Sequence, residues 1–146
     1  QYVLFMITSL YAISIAIILL ILTFNVIKNR NKHKVALGNG GNKQLIQAIR
    51  AHANLTEYAP IILIMLFLAE YNNLPDIFLN IIGIFFICSR IIHAYGMVKL
   101  EKYDENNKLI SGIKLRIIGM IGTITTIIIL ICTLLIQYIL LSINNL

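Results

Sequence analysis

The chain has 146 residues, 59% of them hydrophobic and 12% charged, with a net charge of +6 and a mean hydropathy of +0.87. Soluble domains are about a quarter charged, so this composition excludes a soluble globular enzyme and indicates an integral membrane protein. The basic excess lies mostly in two connecting segments with no soluble basic domain beside it, which topology explains better than nucleic acid does.

Four apolar spans follow one another, at about 3–27, 45–69, 74–98 and 115–143. Each is long enough to cross about 30 Å of hydrocarbon at roughly 1.5 Å per residue. The first carries no charge from Gln1 to Ile27. It lacks the basic leading region of a signal peptide, and its apolar stretch of about 25 residues exceeds a signal core, so it is expected to stay as a transmembrane helix. The connection after it holds Lys28, Arg30, Lys32, Lys34 and Lys43 with no acid. Its Gly38-Asn39-Gly40-Gly41-Asn42 run reads as a flexible turn rather than a phosphate loop, because no strand precedes it.

The second span is the informative one. It carries Arg50, His52, Asn54 and Glu57 in the run Arg50-Ala-His52-Ala-Asn54-Leu-Thr-Glu57-Tyr58-Ala-Pro60. Ionisable groups in hydrocarbon cost at least a few kcal/mol each, so they persist mainly where they pair or serve a site. At about 100° per residue, Arg50, Asn54 and Glu57 share one helical stripe, Tyr58 lies at its edge and His52 points nearly opposite. That stripe is expected to form a polar wall inside a bundle. Pro60 is expected to kink or loosen the helix beyond it.

The connection from Glu70 to Asp76 has no Lys or Arg, and Pro75 suits the start of the third helix. That span closes with Arg90 and His93, three apart and so on one face, followed by Tyr95. An ion pair between Arg90 and Glu57 is the structural alternative to a ligand role. The next connection holds Lys99, Lys102, Lys108 and Lys114 against Glu101, Asp104 and Glu105, and Arg116 opens the fourth span. By the positive-inside rule both basic connections face the cytoplasm and both termini face the opposite side. Arg30, Arg50, Arg90, His93 and Arg116 then gather at one depth, a setting that favours an anionic ligand. Cys88 and Cys132 read as inert packing residues, and no Cys/His spacing supports a metal site.

The run Arg50-Ala-His52-Ala-Asn54-Leu-Thr-Glu57 resembles the R-A-H-x-N-x-x-E signature of the MAPEG family, the membrane-associated proteins in eicosanoid and glutathione metabolism. Tyr58 and Pro60 resemble its leukotriene C4 synthase branch. Arg90-x-x-His93 is similar to the prostaglandin synthase pattern. Spacing and the His-Ala-Tyr-Gly ending of the third span look closest to small bacterial members. The eicosanoid enzymes carry a tyrosine farther along the third helix than Tyr95 and a second arginine where this chain has Asn31. The resemblance therefore speaks for glutathione more than for an eicosanoid.

It implies an all-α, four-helix transmembrane bundle, homotrimeric, in the bacterial inner membrane, with glutathione at subunit boundaries. It implies that Arg116 stabilises the glutathione thiolate, that Arg30, Arg50 and Arg90 bind carboxylates, and that Glu57 takes the amino group. Asn54, Tyr58, His52, His93 and Tyr95 complete the expected binding set, with His52 serving a neighbouring subunit. A lipophilic electrophile would arrive from the bilayer. Two other readings stand beside this one. A non-catalytic relative would hold lipid or a partner protein. A small four-helix transporter would need a deep, isolated acid, and Glu57 is instead accompanied by Arg50.

Overall fold

The computed structural model describes residues 6–104, 106 and 108–144. Four helices run antiparallel in sequence: α1 (Ile7–His33), α2 (Lys43–Tyr71), α3 (Asp76–Tyr95) and α4 (Ile113–Asn144). All four are long and apolar enough to cross a membrane. Local propensity alone does not dictate this. Thr123–Ile129 is an unbroken run of β-branched residues, yet it lies inside α4. In hydrocarbon a single segment satisfies its backbone polar groups internally only as a helix, and that requirement overrides the modest preference of such residues for strands.

The helices exceed the apolar spans at their polar ends. Lys28, Arg30 and Lys32, read from sequence as loop residues, belong to the last turns of α1, where cations complement the negative end of the helix dipole. Lys34 then ends the helix in the left-handed conformation at φ 54°. Asn42 caps α2 by accepting the Leu45 N–H at 3.0 Å. α2 passes through Pro60 without a break, as transmembrane helices do when the surrounding turns keep their bonds. Beyond α3 a five-residue π-helical turn (Gly96–Leu100) leads to a small antiparallel hairpin of β1 (Lys102–Tyr103) and β2 (Leu109–Ser111). The all-α expectation had no place for this hairpin. It matters for the site.

α1 packs chiefly on α2 and α3 on α4, with α2 also touching α4 and α1 touching α3. The core is built from Tyr11, Ile15 and Leu22 of α1, Leu55, Ile62 and Leu66 of α2, and Leu79, Ile82 and Phe86 of α3. α4 presents Gly119, Gly122, Thr123, Thr126 and Leu130 to this core. Small groups at that spacing let its backbone approach α3 closely. Gly119-x-x-x-Thr123 is a small-residue face, and in the fold it is used within the chain, against α3. A Cβ added at Gly119 would meet the His93 backbone nitrogen at 2.5 Å and the Ser89 carbonyl oxygen at 2.6 Å. Cys88 and Cys132 are exposed on the outer faces of α3 and α4 rather than packed inside.

Glu70 fastens the other end of the bundle. Its carboxylate accepts the Ile7 N–H at 2.5 Å and the Thr8 N–H at 2.9 Å. It therefore supplies from α2 the anionic cap that Met6 lacks. Glu70→Gln is expected to lower stability by about 1 kcal/mol through the weakened cap, read as an earlier thermal unfolding transition in detergent. An unchanged transition would remove that role.

Candidate functional site

A cavity of about 310 Å³ opens where α2 begins, α3 ends and α4 begins. Small-molecule sites run from about 300 to 1,000 Å³, so it holds a compact ligand. Its polar lining is Lys43, Gln47, Arg50, Glu101, Tyr103 and Arg116, on an apolar floor of Ile46 and Met97. A larger groove at the opposite end, between Pro75, Phe78 and Leu140, has no ionisable group in its lining and offers little for chemistry.

Local structure explains how the lining converges. Lys43, Gln47 and Arg50 follow the helical repeat on one flank of α2. The π turn brings Gly96 against the start of α4, where a Cβ would lie 2.7 Å from the Arg116 nitrogen. That close approach sets Met97 and Glu101 beside Arg116. Arg116 donates to Glu101 Oε1 at 3.2 Å, the one ion pair among the described residues. The Glu101 side chain is 0% exposed and that of Arg116 36%. Tyr103 donates its hydroxyl to Glu101 Oε2 at 2.5 Å. The Glu101 carbonyl accepts from Gln47 Nε2 at 2.9 Å, and Lys43 Nζ reaches the Asp104 carbonyl. The hairpin is thus tied to α2 by the residues on either side of β1.

Burial, and then the hydrogen bond to the Glu101 carboxylate, push the Tyr103 phenol above its ordinary value of 10.0. A pKa raised on folding means that the folded chain holds this proton longer than the unfolded chain. The associated stability is present below pH 10 and is lost as pH climbs through the raised value. In an alkaline titration followed by tyrosinate absorbance, Tyr103 is expected to ionise late, and Glu101→Gln to return it towards 10.0. A Tyr103 signal that Glu101→Gln leaves in place would contradict that cause.

The residues singled out from sequence divide into groups. Arg50 and Arg116 reach the cavity. Asn54, Arg90 and His93 form a separate buried knot between α2, α3 and α4. Arg90, 1% exposed, donates to Asn54 Oδ1 at 2.6 Å and Thr123 Oγ1 at 3.0 Å, with His93 Nδ1 at 3.4 Å. Its partner is therefore not Glu57. The core stripe of α2 runs through Ala48, Ala51, Leu55, Ala59 and Ile62, which leaves Asn54 on its margin and turns Arg50 and Glu57 outward. The polar wall does not lie wholly inside one chain's bundle. Glu57 is exposed and makes no ion pair with Arg50.

The others sit apart. Arg30 folds back on the α1–α2 connection, donating to the Val35, Ala36 and Gly38 carbonyls at 3.3, 3.2 and 3.1 Å. Tyr58 and His52 are half-buried, and Tyr95 is exposed at the end of α3. Sequence reasoning missed Lys43, Gln47, Glu101 and Tyr103. The first two were within reach, because positions 43, 47, 50 and 54 continue a single helical stripe. Glu101 and Tyr103 lie in irregular chain, where periodicity gives no signal.

The sequence pattern of the MAPEG family matches residues 8–136. The inner membrane protein YecN of Escherichia coli strain K12 is 36% identical over 91 residues, which is 62% of this chain and 70% of that protein. The protein of the same name from Escherichia coli O6:H1 matches to the same extent.

Proposed function

The chain belongs to the MAPEG family, and from that premise we propose that it binds glutathione in the Lys43–Arg50–Arg116 cavity and holds its thiolate for attack on a lipophilic electrophile. The observation that carries this reading is the convergence of three cations and one acid on a single cavity at the polar end of the bundle. Glutathione offers two carboxylates, an ammonium and a thiol. Arg50 and Lys43 suit the carboxylates, Arg through its planar fork and Lys as a mobile point charge. Arg116 suits the sulfur. A free thiol has a pKa of about 8.5, so it is mostly protonated at neutral pH. A neighbouring guanidinium lowers that value and raises the fraction of reactive thiolate. The electrophile reaches the sulfur from the bilayer, past the apolar faces of α3 and α4.

In this reading the protein is a multi-pass inner-membrane protein, in keeping with its four candidate spans and its inner-membrane relatives. The basic ends of α1, α2 and α4 face the cytoplasm by the positive-inside rule. It assembles as a homotrimer. Arg50 and Glu57 are exposed on an apolar helix and make no ion pair within their own chain, and a second copy laid over α2 removes such charges from lipid. A native mass in detergent showing only folded monomers would count against the trimer.

The glutathione reading is tested by adding glutathione to the purified protein, following thiolate absorbance against pH, and then assaying turnover with a panel of halogenated aromatics, epoxides and hydroperoxides. Thiolate formation well below pH 8 is the expected result; no perturbation of the thiol rejects the reading. The pairing of Arg116 with Glu101 favours one second reading, in which a neutralised guanidinium binds the ligand without activating it. Binding without turnover of any electrophile would select it.

A further inference from the structure

Three cations line the cavity, and Arg116 alone among them carries an acid partner. That acid is no chance neighbour. The Glu101 side chain is 0% exposed, and its backbone is fixed at both polar groups. The N–H donates to the Gly96 carbonyl at 3.1 Å and the carbonyl accepts from Gln47 at 2.9 Å. Its two carboxylate oxygens are divided between Arg116 and Tyr103. A buried carboxylate held this way belongs to the resting arrangement of the site.

We propose that Glu101 is the specificity-determining residue of this cavity, an internal carboxylate that occupies Arg116 until an anion on the ligand displaces it. The proposal rests on the glutathione reading only for the identity of that anion. Displacement strips Glu101 of its cation and leaves it with Tyr103, which costs free energy because the carboxylate stays out of water. A ligand with a single anionic group offers Arg116 only an even exchange. A ligand with several acidic groups recovers the loss through Arg50 and Lys43, which have no acid partner among the described residues. The cavity is therefore built to admit small polyanionic molecules and to refuse monocarboxylates such as free fatty acids, which abound near a membrane.

The test compares the wild-type chain with Glu101→Gln in detergent. Gln keeps the shape and the Tyr103 contact but removes the competing charge. Occupancy of Arg116 is read without any ligand, as the rate of phenylglyoxal modification at Arg116 mapped by mass spectrometry, with Arg50 as the internal reference. Modification of Arg116 is expected to rise about tenfold in Glu101→Gln relative to Arg50, the scale on which close charge pairs couple. Glutathione affinity is expected to rise by a similar factor, and a short-chain monocarboxylate such as butyrate should protect Arg116 in the variant only.

An unchanged Arg116 rate overturns the proposal, as does weaker glutathione binding in Glu101→Gln, which would make Glu101 a ligand-binding group. Faster modification with butyrate protection in the variant, and no protection by glutathione in either protein, upholds the competitor role and removes the glutathione reading. Tyr103→Phe serves as a second variant should Glu101→Gln fold poorly. It takes the other partner from the Glu101 carboxylate and leaves its charge on Arg116, so slower Arg116 modification is expected there, and an unchanged or faster rate overturns the proposal.

Discussion

Arg116→Ala is expected to slow the chemical step by about 10²–10³, the usual cost of removing one donor that stabilises developing or resting negative charge. Its effect on glutathione affinity is expected to be the smaller one. Without the guanidinium, the bound thiol should titrate near the reference value of about 8.5, and thiolate absorbance at neutral pH should fall. The structure adds a complication that the variant must respect. Glu101 has a 0% exposed side chain and Arg116 is its one cation among the described residues, so truncating Arg116 strands a buried charge and destabilises the hairpin.

Arg116→Ala combined with Glu101→Gln removes that stranded charge and isolates the catalytic loss. Arg50→Ala is expected to behave differently, weakening glutathione binding while leaving the thiolate signal of the saturated protein in place. It carries no comparable stability penalty, because Arg50 makes no ion pair with Glu57. Unchanged thiolate absorbance in the Arg116 variants would sink the mechanism.

Gly119→Ala is expected to destabilise the bundle by about 1–3 kcal/mol, the range for overpacking a tight core. On helix propensity alone the substitution is favourable by about 1 kcal/mol. Sterics reverse the sign. The new methyl would sit 2.5 Å from the His93 nitrogen and 2.6 Å from the Ser89 carbonyl oxygen, both backbone atoms of α3. Neither moves unless α3 and α4 separate. Separation also pulls Thr123 away from Arg90, whose guanidinium would lose a hydrogen bond in a buried setting.

Gly122→Ala is a graded control. Its nearest contact is the Ser89 hydroxyl, a side-chain group that can rotate away from its bond to the Phe85 carbonyl. The expected order of thermal unfolding in detergent is wild type, then Gly122→Ala, then Gly119→Ala. Equal transitions for Gly119→Ala and wild type would show that the helices yield at this contact.

The sequence by itself determined the four spans and the family. Both rest on one-dimensional patterns: apolar runs long enough for a bilayer, and the Arg50-to-Tyr58 run at helical spacing. The bilayer makes those patterns decisive, because hydrocarbon leaves the backbone no alternative to the helix. Membership of the site was only partly legible. Arg50 and Arg116 stand out as charges at the edges of apolar segments, and the structure brings both to the cavity.

Tertiary packing decided the rest. Whether a polar residue on a helix faces a neighbour or the outside depends on which stripe the neighbouring helices cover, and periodicity cannot supply that phase. Packing therefore turned Glu57 outward, gave Arg90 to Asn54 and Thr123, and spent the Gly119 face inside the chain. Glu101 lay beyond sequence reasoning for a related reason. It follows a π turn and precedes a short hairpin, where no repeat fixes side-chain direction, and only the close approach of Gly96 to Arg116 places it in the cavity.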